Sequence, residues 1–331
     1  MKAAVSLRYG PPEILTLADV PMPVLGDREV MVRIRASTVC YGDWTIRKGP
    51  PLVRVMNGLL RPKVQVLGVD LAGVVESVGG AVTKFTPGDQ VFGSRGDKFG
   101  AHAEYACVAE DGFLAPKPVN MGLEEAATVF VGGCCALYFL RRANIQPGER
   151  ILIHGASGSL GIFAVQLAKH FGAHVTGVCG PANLDLVKSL GADQVIDYTK
   201  QDFTERSGSY DVICDVLAKA GFPRSLHALK RGGRYLHVGL PMGVAPISAV
   251  LMRGGLAHVT GAARFLFGPA RPVQEDLYYL KRLIEAGNLR TVIGRSYPLT
   301  EIAEAHRYAE SGHKVGNVVI LVNGPPRNGL S

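Results

Sequence analysis

Three glycines, at 155, 158 and 161 in the run His154-Gly-Ala-Ser-Gly-Ser-Leu-Gly161, carry the clearest chemical signal in this chain. Glycine lets a backbone turn tightly and come close to a ligand. A helix that starts there offers free N–H groups and the positive end of its dipole to an anion. The chemistry this suits is binding of a dinucleotide diphosphate over Ser157–Leu160, with Gly155, Ser157, Gly158, Ser159, Leu160 and Gly161 as the contacting residues. A glycine trio alone also describes an ordinary strand-to-helix turn, so its surroundings must decide.

Those surroundings are a strand before the turn and a helix after it. Arg150-Ile-Leu-Ile153 reads as a buried parallel strand, and Leu160, Phe163, Ala164, Leu167, Ala168 and Phe171 repeat at helical spacing. Strands follow at 174–178, 194–197, 210–215 and 233–238, with helices near 182–190 and 219–229 between them. Strands alternating with helices at this spacing predict βαβ units, and so a Rossmann domain: a doubly wound parallel sheet with helices on both faces.

The flanking regions read differently. Up to about residue 122, short β-type segments at 2–7, 14–20, 29–37, 72–78, 89–93 and 103–108 alternate with turn clusters such as Gly10-Pro-Pro12 and Thr86-Pro-Gly-Asp89. Beyond about 265 come a helix (275–287), a strand near 296–299, a helix opened by Thr300 with acidic residues in its first turn, a strand at 317–322 and a tail. The expected organisation is a β-rich domain over 1–122, the Rossmann domain over 123–265, and a C-terminal segment, 266–331, that completes the first domain.

A chain of 331 residues can bury two cores. Its net charge of +8 is spread through the sequence without a run of five basic residues, which argues against nucleic-acid binding. The N-terminus has no signal-peptide pattern. The longest apolar run, 126–140, is too short for a membrane span and contains Gly132-Gly133, so it reads as buried helix. Six cysteines without CxxC spacing fit a reducing, cytoplasmic setting.

In its order of motifs the chain resembles the medium-chain dehydrogenase/reductase superfamily, and within it the zinc-independent quinone oxidoreductase-like branch. The resemblance runs from Lys2 to about Val322. It rests on the segment from Ala36 to Gly49, Leu67-Gly-Val-Asp-Leu-Ala-Gly-Val-Val75, Pro87-Gly-Asp-Gln-Val-Phe92, Ala103-Glu-Tyr105, the glycine turn, Leu190-Gly-Ala-Asp-Gln-Val-Ile-Asp-Tyr198, and Ile302-Ala-Glu-Ala-His306 followed by Gly316-Asn-Val-Val319. It implies a GroES-like catalytic domain in the β-rich part and nicotinamide chemistry with a small-molecule substrate. Relatives are often homodimers, which no residue read here shows by itself.

Zinc-dependent members of that superfamily hold their metal with a Cys, a His and a further Cys or Asp. Here Cys40 stands at the first position, but Val69 and Val131 occupy the others, so no metal is expected. A site from His102 and Cys107 would have only two donors. Without a Lewis acid to hold an alkoxide, alcohol oxidation is disfavoured, whereas a quinone or enone accepts hydride with less assistance. The segment Cys40–Thr45 is expected to line the substrate pocket, with Cys40 in its wall and Tyr41 or Thr45 as hydroxyl donor. The branch usually has Asn at the place of Cys40 and Tyr or Lys at that of Thr45. Asp43 reads as a helix cap, Trp44 as core, and His154 as a satisfied core histidine. Proton delivery is expected from water.

An acidic residue normally ends the second strand of an NAD-preferring fold. Here Cys179-Gly-Pro-Ala-Asn183 has none, and Tyr198 with Lys200 matches the place where NADPH-using relatives contact the 2′-phosphate. NADPH is favoured, with NADH use left open. Cys179, Asn183, Tyr198, Asp215, Val216, Gly239, Leu240 and Lys314 complete the expected cofactor set. The function that follows is NADPH-dependent hydride transfer to a quinone or α,β-unsaturated carbonyl. Two alternatives stand beside it: a metal-free carbonyl reductase or alcohol dehydrogenase, and a cofactor-sensing interaction protein with little catalysis.

Overall fold

The computed structural model describes residues 1–217, 221–238 and 261–322. The chain folds into two compact units, one of residues 1–131 with 273–331 and one of residues 132–272. In chain order the first unit opens with β1 (Lys2–Val5), β2 (Thr16–Asp19) and β3 (Glu29–Thr38). It continues through α1 (Tyr41–Lys48), α2 (Pro51–Asn57), β4 (Asp70–Val78), β5 (Gln90–Ser94), β6 (Tyr105–Ala109), β7 (Leu114–Pro116) and α3 (Leu123–Ala126). The second unit holds α4 (Cys135–Ala143), β8 (Arg150–His154), α5 (Ser159–His170), β9 (His174–Cys179), α6 (Leu184–Ser189), β10 (Gln194–Asp197) and β11 (Tyr210–Asp215). It ends with α7 (Phe222–Ala228), β12 (Leu229–Val238) and β13 (Ala263–Gly268). The chain then returns to the first unit with α8 (Gln274–Glu285), β14 (Ile293–Pro298), α9 (Ile302–Glu310) and β15 (Asn317–Leu321).

The second unit is the expected Rossmann sheet. Its six strands lie in the order β10-β9-β8-β11-β12-β13 and every pair is parallel. The strand order reverses between β8 and β11, which makes their carboxyl ends the topological switch point where such sheets take ligands. Leu152, Val178, Ile213 and Tyr235 are buried in one of its cores. Strand β13 has no counterpart in the reading of the sequence. Its Arg264-Phe-Leu-Phe267 is too short and too evenly mixed to announce a sixth strand, and it becomes one by pairing along β12.

In the first unit a seven-stranded sheet runs β14-β15-β3-β4-β5-β7, with β6 also paired to β3. Strand β3 is central because Val30, Val32, Ile34 and Ala36 all point to a buried face, alternating with half-exposed residues. Strand β15 joins the same sheet antiparallel to β3, so the C-terminal segment completes this unit's core. Thr300 lies in a 3₁₀ turn, Leu299–Glu301, that runs directly into the α-helix beginning at Ile302 with Glu301 at its cap. The helical stretch 123–143 is apolar and long enough to suggest a membrane span by composition, yet 67% of its most apolar window is buried within the fold. It consists of α3, a π-turn at Phe130–Cys134, and α4, as befits core helix.

Candidate functional site

At the switch point, β8 ends in His154 and the chain turns through the three glycines into α5. Each glycine has a separate physical reason. Gly155 has φ +87°, the left-handed region that a side chain resists. At Gly161 a Cβ would lie 2.1 Å from the Gly155 carbonyl oxygen, so only glycine lets α5 pack on the strand end. At Gly158 a Cβ would meet nothing nearer than that same oxygen at 3.5 Å, leaving open the space a diphosphate needs. Gly158 caps α5 without a side-chain hydrogen bond. The N–H groups of the helix's first turn therefore point to where a ligand would sit. Residues 157–160 are partly exposed while Gly155, Ala156 and Gly161 are buried, so of this turn it is 157–160 that a ligand could reach.

His154 and Asp215 close the switch point beneath the turn. The His154 Nδ1 lies 2.8 Å from one Asp215 oxygen, and the Tyr235 hydroxyl donates to the other at 2.6 Å. Asp215 is fully buried. Burial opposes its ionisation, but the bonds from His154 and Tyr235 outweigh it and hold the carboxyl below the usual range. The same burial, with Asp215 alongside, raises the Tyr235 phenol, which stays a donor. His154 is thus the satisfied histidine the sequence suggests. Asp215 is engaged inside the sheet on both oxygens, by His154 on one and Tyr235 on the other. Val216 likewise gives its N–H to the His154 carbonyl at 3.1 Å.

At the end of β9, Cys179 is buried and pushed up to about 11 by desolvation and the Asp197 charge. Asn183 ends the 3₁₀ turn that follows. Tyr198 is 55% exposed, and its ring lies 3.5 Å from where a Cβ on Gly180 would be. It opens a depression of about 470 Å³ lined by Thr199, Lys200, Gln201, Asp202, Glu205 and Arg206. Asp197 is turned into its own loop, accepting from the Thr199 N–H and hydroxyl at 2.9 and 2.7 Å. Two cations, Lys200 and Arg206, and two acids, Asp202 and Glu205, line this depression with Tyr198. Arg206 escapes the sequence reading because seven residues, the last three a 3₁₀ turn, separate it from Tyr198. Gly239 and Leu240 lie outside the described residues.

The remaining predicted residues gather in the first unit, between β3 and β4. Cys40 precedes α1, and Asp43 fastens the helix start: one oxygen accepts from the Cys40 N–H at 2.7 Å, the other from the Gly68 N–H at 2.9 Å. Asp43 is the cap the sequence implies, sitting one turn inside the helix. Trp44 packs against the core, as expected, with Tyr41 edge-on to it at 4.6 Å. Tyr41 is half-exposed, whereas Thr45 is buried and its hydroxyl has no partner among the described residues. The reachable hydroxyl of the pair is therefore Tyr41.

Beside Cys40 the structure adds Asp70, which the sequence reading passed over. Its carboxyl is buried, accepting from the Thr38 hydroxyl at 2.6 Å and the Val131 N–H at 3.1 Å. Desolvation, helped by the Asp43 charge, raises it to about 8. A lone acid inside the apolar run Leu67–Val75 was the available signal. Desolvation first, and the Asp43 charge beside it, hold the Cys40 thiol well above its ordinary value, which disfavours the thiolate. Lys314 reaches the same cluster. Its ammonium donates to the Gly316 carbonyl at 3.1 Å, and burial lowers it to about 8 while Cys40 pulls the other way.

This donor set does not fit zinc. Cys40 is one protonated thiol, both Asp43 oxygens and both Asp70 oxygens accept from groups of the fold, and Val69 and Val131 offer no donor atom. His102 uses its Nε2 on the Thr38 carbonyl at 2.9 Å, away from Cys107. Among the described residues no three His, Cys, Asp or Glu side chains are arranged to hold a metal ion.

A parallel sheet with a glycine-lined helix start at its switch point, joined to a β-rich unit built on β3, is the architecture of a nicotinamide-dependent oxidoreductase. Residues 26–119 match the alcohol dehydrogenase GroES-like domain, and residues 190–320 match the zinc-binding dehydrogenase family. The chain is 31% identical to the quinone oxidoreductase of Sus scrofa over 97% of its length and 98% of that protein. It is equally 31% identical to an NADPH-dependent alkenal/one oxidoreductase of Arabidopsis thaliana, over 97% of this chain and 79% of the relative. The structure of the Escherichia coli quinone oxidoreductase complexed with NADPH matches with a TM-score of 0.82 at 26% identity, covering 97% of this chain and all (100%) of the other. The chain belongs to the medium-chain dehydrogenase/reductase superfamily, in its quinone oxidoreductase-like branch.

Proposed function

We propose that this oxidoreductase is a metal-free, NADPH-dependent reductase of quinones or α,β-unsaturated carbonyls. The observation that carries the reading is the cluster around Cys40, whose carboxylates are bound by N–H and O–H groups of the fold and whose thiol is neutral. Such a site has nothing to hold an alkoxide, yet it keeps donors for an acceptor that needs less help. Similarity to enzymes named for quinones and for alkenals points the same way. The absence of a carboxylate at the end of β9, with Tyr198 and Lys200 close by, supports NADPH over NADH; Arg206 adds a second cation to a lining that also holds Asp202 and Glu205.

When bound, the reduced nicotinamide supplies a hydride from its C4. The chain's own part is to grip the diphosphate at Gly158–Gly161, to offer the Tyr41 hydroxyl to the acceptor oxygen that gains charge, and to hold a proton on Lys314. An ammonium that titrates near 8 can release a proton at neutral pH, which makes Lys314 a source beside water. Six free thiols support residence in a reducing compartment such as the cytosol.

Mixing the protein with NADPH and a panel of quinones, enones and saturated ketones tests the reading through loss of reduced-nicotinamide absorbance. Turnover of quinones or enones without added metal is expected. Turnover confined to saturated ketones or alcohols would transfer the protein to carbonyl reduction.

A further inference from the structure

Exposed apolar side chains are scattered over most of this surface but gather in one segment. Leu52, Val55, Met56, Leu59 and Leu60 are 44, 70, 72, 67 and 88% exposed. Leu52, Val55 and Met56, at i, i+3 and i+4, share the outward side of α2, and Leu59 and Leu60 follow it in the bend past Gly58, where the helix has ended. The inward side of α2 is held by Val53 and Asn57, both 7% exposed. Asn57 fixes the return of the chain, accepting the Lys63 N–H on its carbonyl at 2.7 Å and the Val64 N–H on its side chain at 3.1 Å. The Tyr9 hydroxyl donates to the Gly58 carbonyl at 2.7 Å, and the Arg54 guanidinium stacks on the Tyr9 ring at 4.8 Å. The exposed face is thus presented by a pinned scaffold.

Charge then selects the partner. From Trp44 to Val69 the chain carries no Asp or Glu, while Arg47, Lys48, Arg54, Arg61 and Lys63 are cationic. Arg47 is buried, and Lys48 shares Glu310 with it. Arg54, Arg61 and Lys63 are exposed among the leucines. A symmetric contact between two copies would set these like charges against each other. An anionic bilayer neutralises them, takes the apolar tips between its headgroups and lets the long basic side chains reach the phosphates.

We propose that the face formed by Leu52, Val55, Met56, Leu59 and Leu60, with Arg54, Arg61 and Lys63 at its rim, docks the protein peripherally on an anionic phospholipid surface. This stands apart from the reaction class and would hold for any substrate.

Co-sedimentation of the full chain with phosphatidylcholine vesicles, with or without phosphatidylserine, tests it. Each basic residue close to an anionic leaflet strengthens binding by roughly fivefold, so the three rim cations predict at least tenfold more bound protein with phosphatidylserine, weakening with salt. The pairs Leu59→Ser with Leu60→Ser, and Arg61→Gln with Lys63→Gln, should each reduce binding tenfold or more while circular dichroism and the melting midpoint stay unchanged. No binding to phosphatidylserine vesicles, or undiminished binding by both folded variants, overturns the proposal. So does a dimer in light scattering that the leucine pair dissolves, since a second copy would then own the face.

Discussion

Two glycines three residues apart in α5's approach make opposite demands, and this separates binding from folding. Gly158→Ala adds a methyl into open space at φ −82°, a conformation alanine accepts. It should fold with an unchanged melting midpoint but bind NADPH about tenfold more weakly in a fluorescence titration, the methyl standing where the diphosphate approaches. Unweakened binding would move the diphosphate elsewhere. Gly161→Ala, with its Cβ 2.1 Å from the Gly155 oxygen, should instead lose stability. At Lys314 the relevant measure is a pH profile. If its ammonium delivers the proton, kcat falls as pH rises through about 8, where the folded group loses that proton. Lys314→Met should remove that limb and lower kcat at neutral pH by tenfold or more, within the range general-acid groups contribute. A profile identical in the two proteins returns the role to water.

At the scale of elements, Asp43 and Asp70 tie α1, β3, β4 and Val131 in the π-turn into one frame around Cys40. Asp43→Ala leaves the buried Gly68 N–H without its acceptor, at about 1–3 kcal/mol, and the part-buried Cys40 N–H at less, and should lower the denaturant midpoint accordingly. Asp70 acts through pH. Unfolded, its carboxyl ionises near 3.8; folded, it keeps its proton to about 8. Between those values only the native state holds the proton, so this group's contribution to stability is full at acid pH and declines as pH rises, by up to about 1.4 kcal/mol per unit. In Asp70→Asn that decline is absent, and the Thr38 hydroxyl can turn from donor to acceptor. Thermal melts from pH 4 to about 8 should show the variant gaining on the parent as pH rises. Parallel curves would mean that Asp70 is ionised in the fold.

Across the whole molecule, the second unit was the more legible because its strands are continuous apolar runs separated by helices, each short enough for local pattern to decide. The edges at 194–197 and 210–215 fall where the sequence puts them. Strand β13 and the Leu299–Glu301 turn were illegible because pairing along β12, in one case, and packing against the first unit's core, in the other, override weak local preference. The glycine cradle could be read because each role is a backbone constraint. The bond from Tyr235 to Asp215, the burial that raises the Asp70 carboxyl and the meeting of Tyr198 and Arg206 around one depression depend on the folded chain, which spacing does not encode. Whole-chain stability offers one test of the glycine turn and of the Cys40 cluster, each in its own unit. A ligand that binds only the native state stabilises it, by about 2.7 kcal/mol when present at a hundredfold excess over its Kd. NADPH should therefore raise the melting midpoint. Zinc should not, because the cluster at Cys40 presents one neutral thiol and carboxylates already bonded within the fold. A zinc-dependent rise of comparable size, reversed by a chelator, would mean that these carboxylates release their N–H and O–H partners for a metal, and the reaction class would have to be drawn again from that coordination.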